Sequence, residues 1–199
     1  MTVGIILAAG ESKRMGTAKQ LLPWGKTIVL QRVIDMAAGS CLERVILVLG
    51  YRADEIANRI RLPDKARIVV NETYREGMAS SLKCGIRNAP AATEAFMLIL
   101  GDQPFIEVTV FNHLIAAHHA GSGGITIPTY DGKRGHPVVF SSRYREELLA
   151  VSDQGAREVL SRHIDAIIEL TMPSPYILSD LDTPEDYQKS KAQMERGKR

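Results

Sequence analysis

The 199 residues are 45% hydrophobic and 24% charged, enough to build one substantial core and short for two independent domains. A formal net charge of +2 gives no case for a nucleic-acid partner. The first apolar run stops early at a glycine and no leader pattern precedes it, so neither a membrane nor secretion is expected, and a cytoplasmic location is.

In chain order, residues 3–8, 44–49, 67–70 and 96–100 are short, nearly continuous apolar runs and read as buried strands. Residues 29–38, 53–61 and 78–88 lie between them with apolar side chains at helical spacing. Such alternation predicts parallel strands joined by crossover helices. A further helix is expected over 108–119, ended by Gly121, Gly123 and Gly124. Residues 125–130 and 137–140 read as two strands joined by the turn residues 131–135, which adds an antiparallel component. Helices follow over 143–151 and 156–163, with a strand over 166–170. Thr183 can cap a last helix with Pro184 in its first position. With no repeat, linker or visible boundary, residues 1–199 are expected to form a single three-layer, Rossmann-like α/β domain with a mostly parallel mixed sheet. The end of the chain, 190–199, with the basic residues Arg196, Lys198 and Arg199, is expected to fray.

The most informative stretch runs from Leu7, Ala8, Ala9 and Gly10 through Arg14, Gly16 and Lys19 to Pro23, directly after the first strand. Open α/β sheets bind ligands at such carboxyl ends. Small residues let backbone N–H groups approach phosphate, and Arg14 and Lys19 bring positive charge to a triphosphate. The spacing fits neither the Walker A loop nor the dinucleotide G-x-G-x-x-G. Asp102 emerges from the fourth apolar strand between Gly101 and Gln103-Pro104, as either a turn residue or a ligand at the same sheet edge. Cys41 and Cys84 make neither a disulfide framework nor a metal pattern, and a buried thiol is the plain reading of Cys84. His113, His118 and His119 read as a polar helix face rather than a zinc site.

Written L-A-A-G-x-S-x-R-M-G-x-x-K-x-L-L-P, residues 7–23 resemble the signature of nucleotidyltransferases with a GT-A-like, nucleotide-diphospho-sugar-transferase-like fold. More narrowly they resemble the molybdenum cofactor cytidylyltransferases. That resemblance implies a Mg2+-dependent transfer of CMP from CTP to the phosphate of molybdopterin, with Arg14, Lys19 and Asp102 catalytic. Ala9, where related guanylyltransferases tend to carry glycine, favours CTP over GTP. Asp102 matches the metal-binding aspartate of a G-D-x-P element. The run Asp180-Leu181-Asp182-Thr183-Pro184-Glu185-Asp186 resembles a C-terminal element that supplies a second ligand, Asp182 by choice with Asp180 left open. Asn71, Gly77, Ser80 and Ser81 match a segment lying against the nucleotide, although the serines equally suit packing against the sheet. His136 and Arg157 match positions near the acceptor; each is also compatible with an ordinary surface residue. The implied partner is a molybdenum hydroxylase or its insertion chaperone. A different nucleotide or phosphorylated acceptor, or a non-catalytic cofactor carrier, remain the alternatives.

Overall fold

The structure is a computed structural model describing residues 1–121 and 124–196. Its strands are β1 (Thr2–Leu7), β2 (Pro23–Trp24), β3 (Thr27–Ile28), β4 (Arg44–Leu49), β5 (Ala66–Val70), β6 (Ala95–Leu100), β7 (Ile125–Tyr130), β8 (Lys133–Arg134), β9 (Val138–Ser141) and β10 (Ile167–Thr171). Its α-helices are α1 (Val29–Gly39), α2 (Ala53–Ala57), α3 (Met78–Arg87), α4 (Val108–Ala120), α5 (Arg145–Ala150), α6 (Arg157–Arg162) and α7 (Pro184–Arg196). The main sheet runs β10-β7-β9-β6-β1-β4-β5, with β8 paired to β7. β6, β1, β4 and β5 are mutually parallel, and β9 runs antiparallel to both β6 and β7.

The apolar runs are continuous because both sheet faces are covered. On β1, β4 and β6, Ile6, Val45, Leu47, Met97 and Ile99 pack with Leu30 and Ile34 of α1 and Phe111 and Leu114 of α4. Their alternate neighbours Val3, Ile5, Ile46, Val48, Phe96 and Leu98 pack with Leu82 and Ile86 of α3, Leu148 of α5 and Val159 of α6. Each such fully buried side chain contributes about 1.5–3 kcal/mol of hydrophobic stabilisation. A third cluster joins Trp24, Val29, Leu181 and Tyr187, docking the C-terminal segment on the small β2–β3 ladder.

Several expectations are corrected. β5 is not a buried strand: it forms the sheet edge, and Val70 is 46% exposed. α2 stops at Ala57 rather than 61, because Gln31 captures the backbone of Arg61, accepting from its N–H at 2.7 Å and donating to its carbonyl at 3.0 Å. The hairpin partner of β7 is β8, inside the stretch read as turn; β9 follows and inserts between β7 and β6. His118 does not lie on a polar face but is buried, its Nδ1 3.1 Å from Thr126 Oγ1. Cys84 is half-buried, and both cysteines are free. α7 extends to Arg196; Gly123 and, at the end expected to fray, Lys198 and Arg199 lie outside the described residues. Among the described residues no helix is long and apolar enough to cross a membrane.

Candidate active site

The chain leaves β1 for β4 and β5 on one side, then returns to β6 on the other, so the order reverses between the carboxyl ends of β1 and β6. That crevice is where open α/β sheets take ligands. Two glycines let the segment after β1 nest there. A Cβ on Gly50 would lie 2.9 Å from Ala9 Cβ, and one on Gly101 2.9 Å from Ala8 Cβ. The Ala8 N–H donates to Val48 at 3.0 Å and Gly101 N–H to Leu7 at 3.0 Å, tying the loop to both neighbours. Beyond Gly10 the loop folds into two short 3-10 turns, Lys13–Met15 and Lys19–Leu21, with Gly16 at φ 67° between them.

Residues far apart in sequence converge on this loop. Lys19 Nζ donates to Asp102 Oδ2 and, at 3.0 Å, to Asp182 Oδ1; Arg14 reaches Asp182 Oδ2 at 2.9 Å. Burial opposes the charge on Lys19, yet Asp102 and Asp182 hold its ammonium above the ordinary lysine value. Burial likewise opposes ionisation of Asp182, but Lys19 and Arg14 prevail and lower it. The Leu181 N–H donates to the Asp102 carbonyl at 3.3 Å, fixing the C-terminal segment beside β6. Asp180 takes a different partner, accepting from Gln103 Nε2 at 2.6 Å, and burial together with Asp102 pushes its carboxyl up. Thr183 and Asp186 exchange side-chain-to-backbone bonds of 3.0 and 3.1 Å, a capping box that starts α7 directly after Asp182.

Asn71, Ser80 and Ser81 form one knot: Asn71 Nδ2 donates to Ser80 Oγ at 2.8 Å and Ser81 Oγ at 3.0 Å. Gly77, at φ 98°, turns the chain between them. Arg75 reaches Glu11 at 3.5 Å, bringing this segment to the loop after β1. His136 lies between β8 and β9, its N–H donating to Ile177 at 3.0 Å. Burial and the charge of Arg157 push its imidazole below the usual histidine range, against the opposing pull of Asp102. Arg157 itself is exposed at the start of α6. Among the described residues, Asp102 Oδ1 and His136 Nδ1 are the only buried side-chain polar atoms without a hydrogen-bond partner. Natural proteins seldom leave such atoms unpaired away from functional sites.

The sequence profile of the MobA-like NTP transferase domain matches residues 4–167. The chain belongs to this family. It is 31% identical over 187 residues to the molybdenum cofactor cytidylyltransferase of Escherichia coli K12, covering 92% of each protein. It is 37% identical over 169 residues to nicotine blue oxidoreductase of Paenarthrobacter nicotinovorans, covering 79% of this chain and 80% of that protein. The crystal structure of the Rv0371C complex with manganese from Mycobacterium tuberculosis H37Rv matches with a TM-score of 0.79 at 30% identity, over 94% of this chain and 96% of that one.

For an NTP transferase of this family, the site suits a hard divalent cation. Asp102 offers a buried, unpartnered carboxylate oxygen, and Asp182 lies across Lys19 from it. Among the described residues no group of three or more His, Cys, Asp or Glu side chains is arranged to hold a metal. A divalent cation held by Asp102 and Asp182 would need further oxygen ligands from phosphate and water, as magnesium takes in nucleotide sites. Sequence reasoning missed Gln20 and Gln103. Gln20 is 2% exposed and donates to the carbonyls of Ala8 at 3.0 Å and Gly10 at 3.2 Å, stapling the loop shut. A polar residue amid Leu21 and Leu22 at a strand-end loop was the available signal.

Proposed function

We propose that the chain transfers CMP from CTP to the terminal phosphate of molybdopterin, releasing pyrophosphate and forming the cytosine dinucleotide. The observation that carries this reading is the meeting of Lys19 and Arg14 with Asp102 and Asp182 at the β1–β6 crevice. It unites phosphate-binding cations and cation-binding carboxylates in one place. The choice of base and acceptor follows the similarity to the Escherichia coli enzyme and the alanine at position 9.

In the reaction an oxygen of the pterin phosphate attacks the α-phosphorus of CTP, and the bond from that phosphorus to the bridging oxygen of pyrophosphate breaks, the leaving group keeping the electron pair. The attacking monoester is already anionic, so no strong general base is needed, and alignment and charge neutralisation dominate. Mg2+, held by Asp102 and Asp182, would polarise the α-phosphate when bound. Lys19 and Arg14 neutralise charge gathering on the pyrophosphate. Ala8, Ala9, Gly10 and Gly16 let backbone N–H groups near the phosphates, while the knot of Asn71, Ser80 and Ser81 with Gly77 shapes the base side. His136 and Arg157 flank the acceptor, and the product passes to a molybdenum hydroxylase or its insertion chaperone. The protein acts in this reading as one domain, in the cytoplasm.

Pyrophosphate release with Mg2+ and molybdopterin, compared among CTP, GTP, ATP and UTP, tests it. Release with CTP that requires the pterin, and that Asp102→Asn abolishes in a folded protein, is expected. Release with another nucleotide alone refutes the base assignment; an active Asp102→Asn protein refutes the site. The 37% identity to an oxidoreductase supports a second reading, hydride transfer. The loop lacks the dinucleotide glycine spacing, and nicotinamide oxidation without pyrophosphate release would favour that reading instead.

A further inference from the structure

Lys19 stands where the two carboxylates of the proposed cation site converge. Its Nζ lies 3.0 Å from Asp182 Oδ1 and also donates to Asp102, while Arg14 takes the other Asp182 oxygen at 2.9 Å. The side chains of Lys19 and Asp102 are only 18% and 13% exposed, so water screens their contact poorly. The two carboxylates and two cations in contact balance in charge, and Asp180, the third carboxylate nearby, is hydrogen-bonded to Gln103 instead. A divalent cation arriving by itself would add two positive charges beside Lys19 and Arg14, with Asp102 Oδ1 the one carboxylate oxygen of this cluster that is buried and unpartnered. A triphosphate arriving with the cation brings the charge and the acceptor oxygens that draw both side chains off the carboxylates. Lysine suits such an exchange, because its ammonium is a point charge on a flexible stem and not a fork locked to both oxygens.

We infer that Lys19 is a built-in counter-cation of the metal site, which makes uptake of the divalent metal depend on nucleotide. The inference rests on the proposed roles of Asp102 and Asp182, and the Lys19 ammonium is the group whose displacement opens them.

The test is manganese binding to the full chain, read as the loss of the free-ion paramagnetic resonance signal. Nucleotide-free Lys19→Met and Lys19→Gln proteins, each checked for fold by circular dichroism, are expected to bind manganese at least about tenfold more tightly than wild type, since a unit charge at contact distance is removed. In wild type, CTP is expected to tighten manganese binding at least about tenfold beyond a protein-free control for the metal–nucleotide complex. Folded variants that bind manganese no more tightly than wild type would overturn the inference. So would wild-type protein that binds it equally with and without CTP, an arm that decides the matter even where the variants do not fold. Failure of the proposed function reads differently: no pyrophosphate appears from CTP and molybdopterin, while the nucleotide-free manganese comparison is unaffected.

Discussion

Gln20→Leu removes the staple of the loop after β1 at nearly constant side-chain size. The native amide donates to the Ala8 and Gly10 carbonyls at 3.0 and 3.2 Å, and its oxygen accepts from Ser12 Oγ at 3.4 Å. Ser12 Oγ in turn accepts from the Lys19 N–H at 3.3 Å, so the chain of bonds ends at the residue that pairs with Asp102. Each lost bond is worth about 1 kcal/mol net, and a stranded buried carbonyl costs about 1–3 kcal/mol more. Holding the loop closed would then cost roughly 4 kcal/mol. The loop escapes about half of that by opening to water, which limits the loss of global stability to about 2 kcal/mol. The remainder, about 2 kcal/mol, reappears when nucleotide must close the loop again, weakening CTP binding by roughly thirtyfold. Urea unfolding and calorimetric titration with Mg2+ and CTP measure the two parts. A variant with the wild-type urea midpoint and a dissociation constant within about twofold of wild type would refute the reasoning, since backbone contacts alone would then be holding the loop.

A Cβ on Gly135 would run into the Ile177 carbonyl oxygen, so Gly135→Ala should cost at least about 2 kcal/mol; a melting temperature equal to wild type would rule this out. Thr183→Ala breaks the capping box that starts α7 and should cost about 1 kcal/mol, together with a severalfold slower pyrophosphate release because Asp182 is the preceding residue; an unchanged urea midpoint would contradict it. Burial, aided by His119 and Arg143, lowers the His118 pKa from 6.5 to about 4, so the fold favours neutral imidazole: its contribution is complete above pH 6.5 and is lost as pH falls toward 4. That shift amounts to roughly 3 kcal/mol, reduced to about 2 kcal/mol by solvent reaching part of the ring, and His118→Gln should shrink the difference in unfolding free energy between pH 7 and pH 4.5, read from urea titrations, by that amount, an unaltered difference counting against it.

The parts of the fold legible in the sequence are those whose local pattern and tertiary setting agree. β1, β4 and β6 read as buried strands because alternate residues enter two different cores, which leaves no polar position to interrupt the run. The start of α7 was legible because Thr183, Pro184 and Asp186 carry the capping chemistry within four residues. β5 was misread because an apolar run does not say whether a strand has one neighbour or two. The overlong α2 has a tertiary cause, the capture of Arg61 by Gln31 thirty residues earlier. His118 continues the stripe of Phe111, Leu114 and Ile115, so its spacing pointed inward while its residue type argued for the surface. At the candidate site, Asp102 stands out beside a glycine at a strand end, Lys19 in the glycine-containing loop after β1, and Asp182 beside a helix start. Gln20 and Gln103 do not, because their partners are backbone carbonyls and a carboxylate from distant segments, and no spacing rule encodes such contacts.

The charged groups of this site are brought together by neutral anchors. Lys19 is separated by 83 residues from Asp102 and by 163 from Asp182, and Arg14 by 168 from Asp182; the Arg14 salt bridge, its side chain 71% exposed, contributes too little to close such a loop. The closing contacts lie alongside. Gln20 pins the loop after β1, the buried Leu181 binds the Asp102 carbonyl through its N–H, and the Tyr187 hydroxyl donates to Pro23 at 2.6 Å within an apolar cluster. Positions are thus set by burial and backbone hydrogen bonds, and the ions occupy positions already fixed. In the proposed exchange, an ammonium placed this way trades two carboxylates for phosphate oxygens without the fold having to move, as a site meeting a highly charged substrate and its metal together would require.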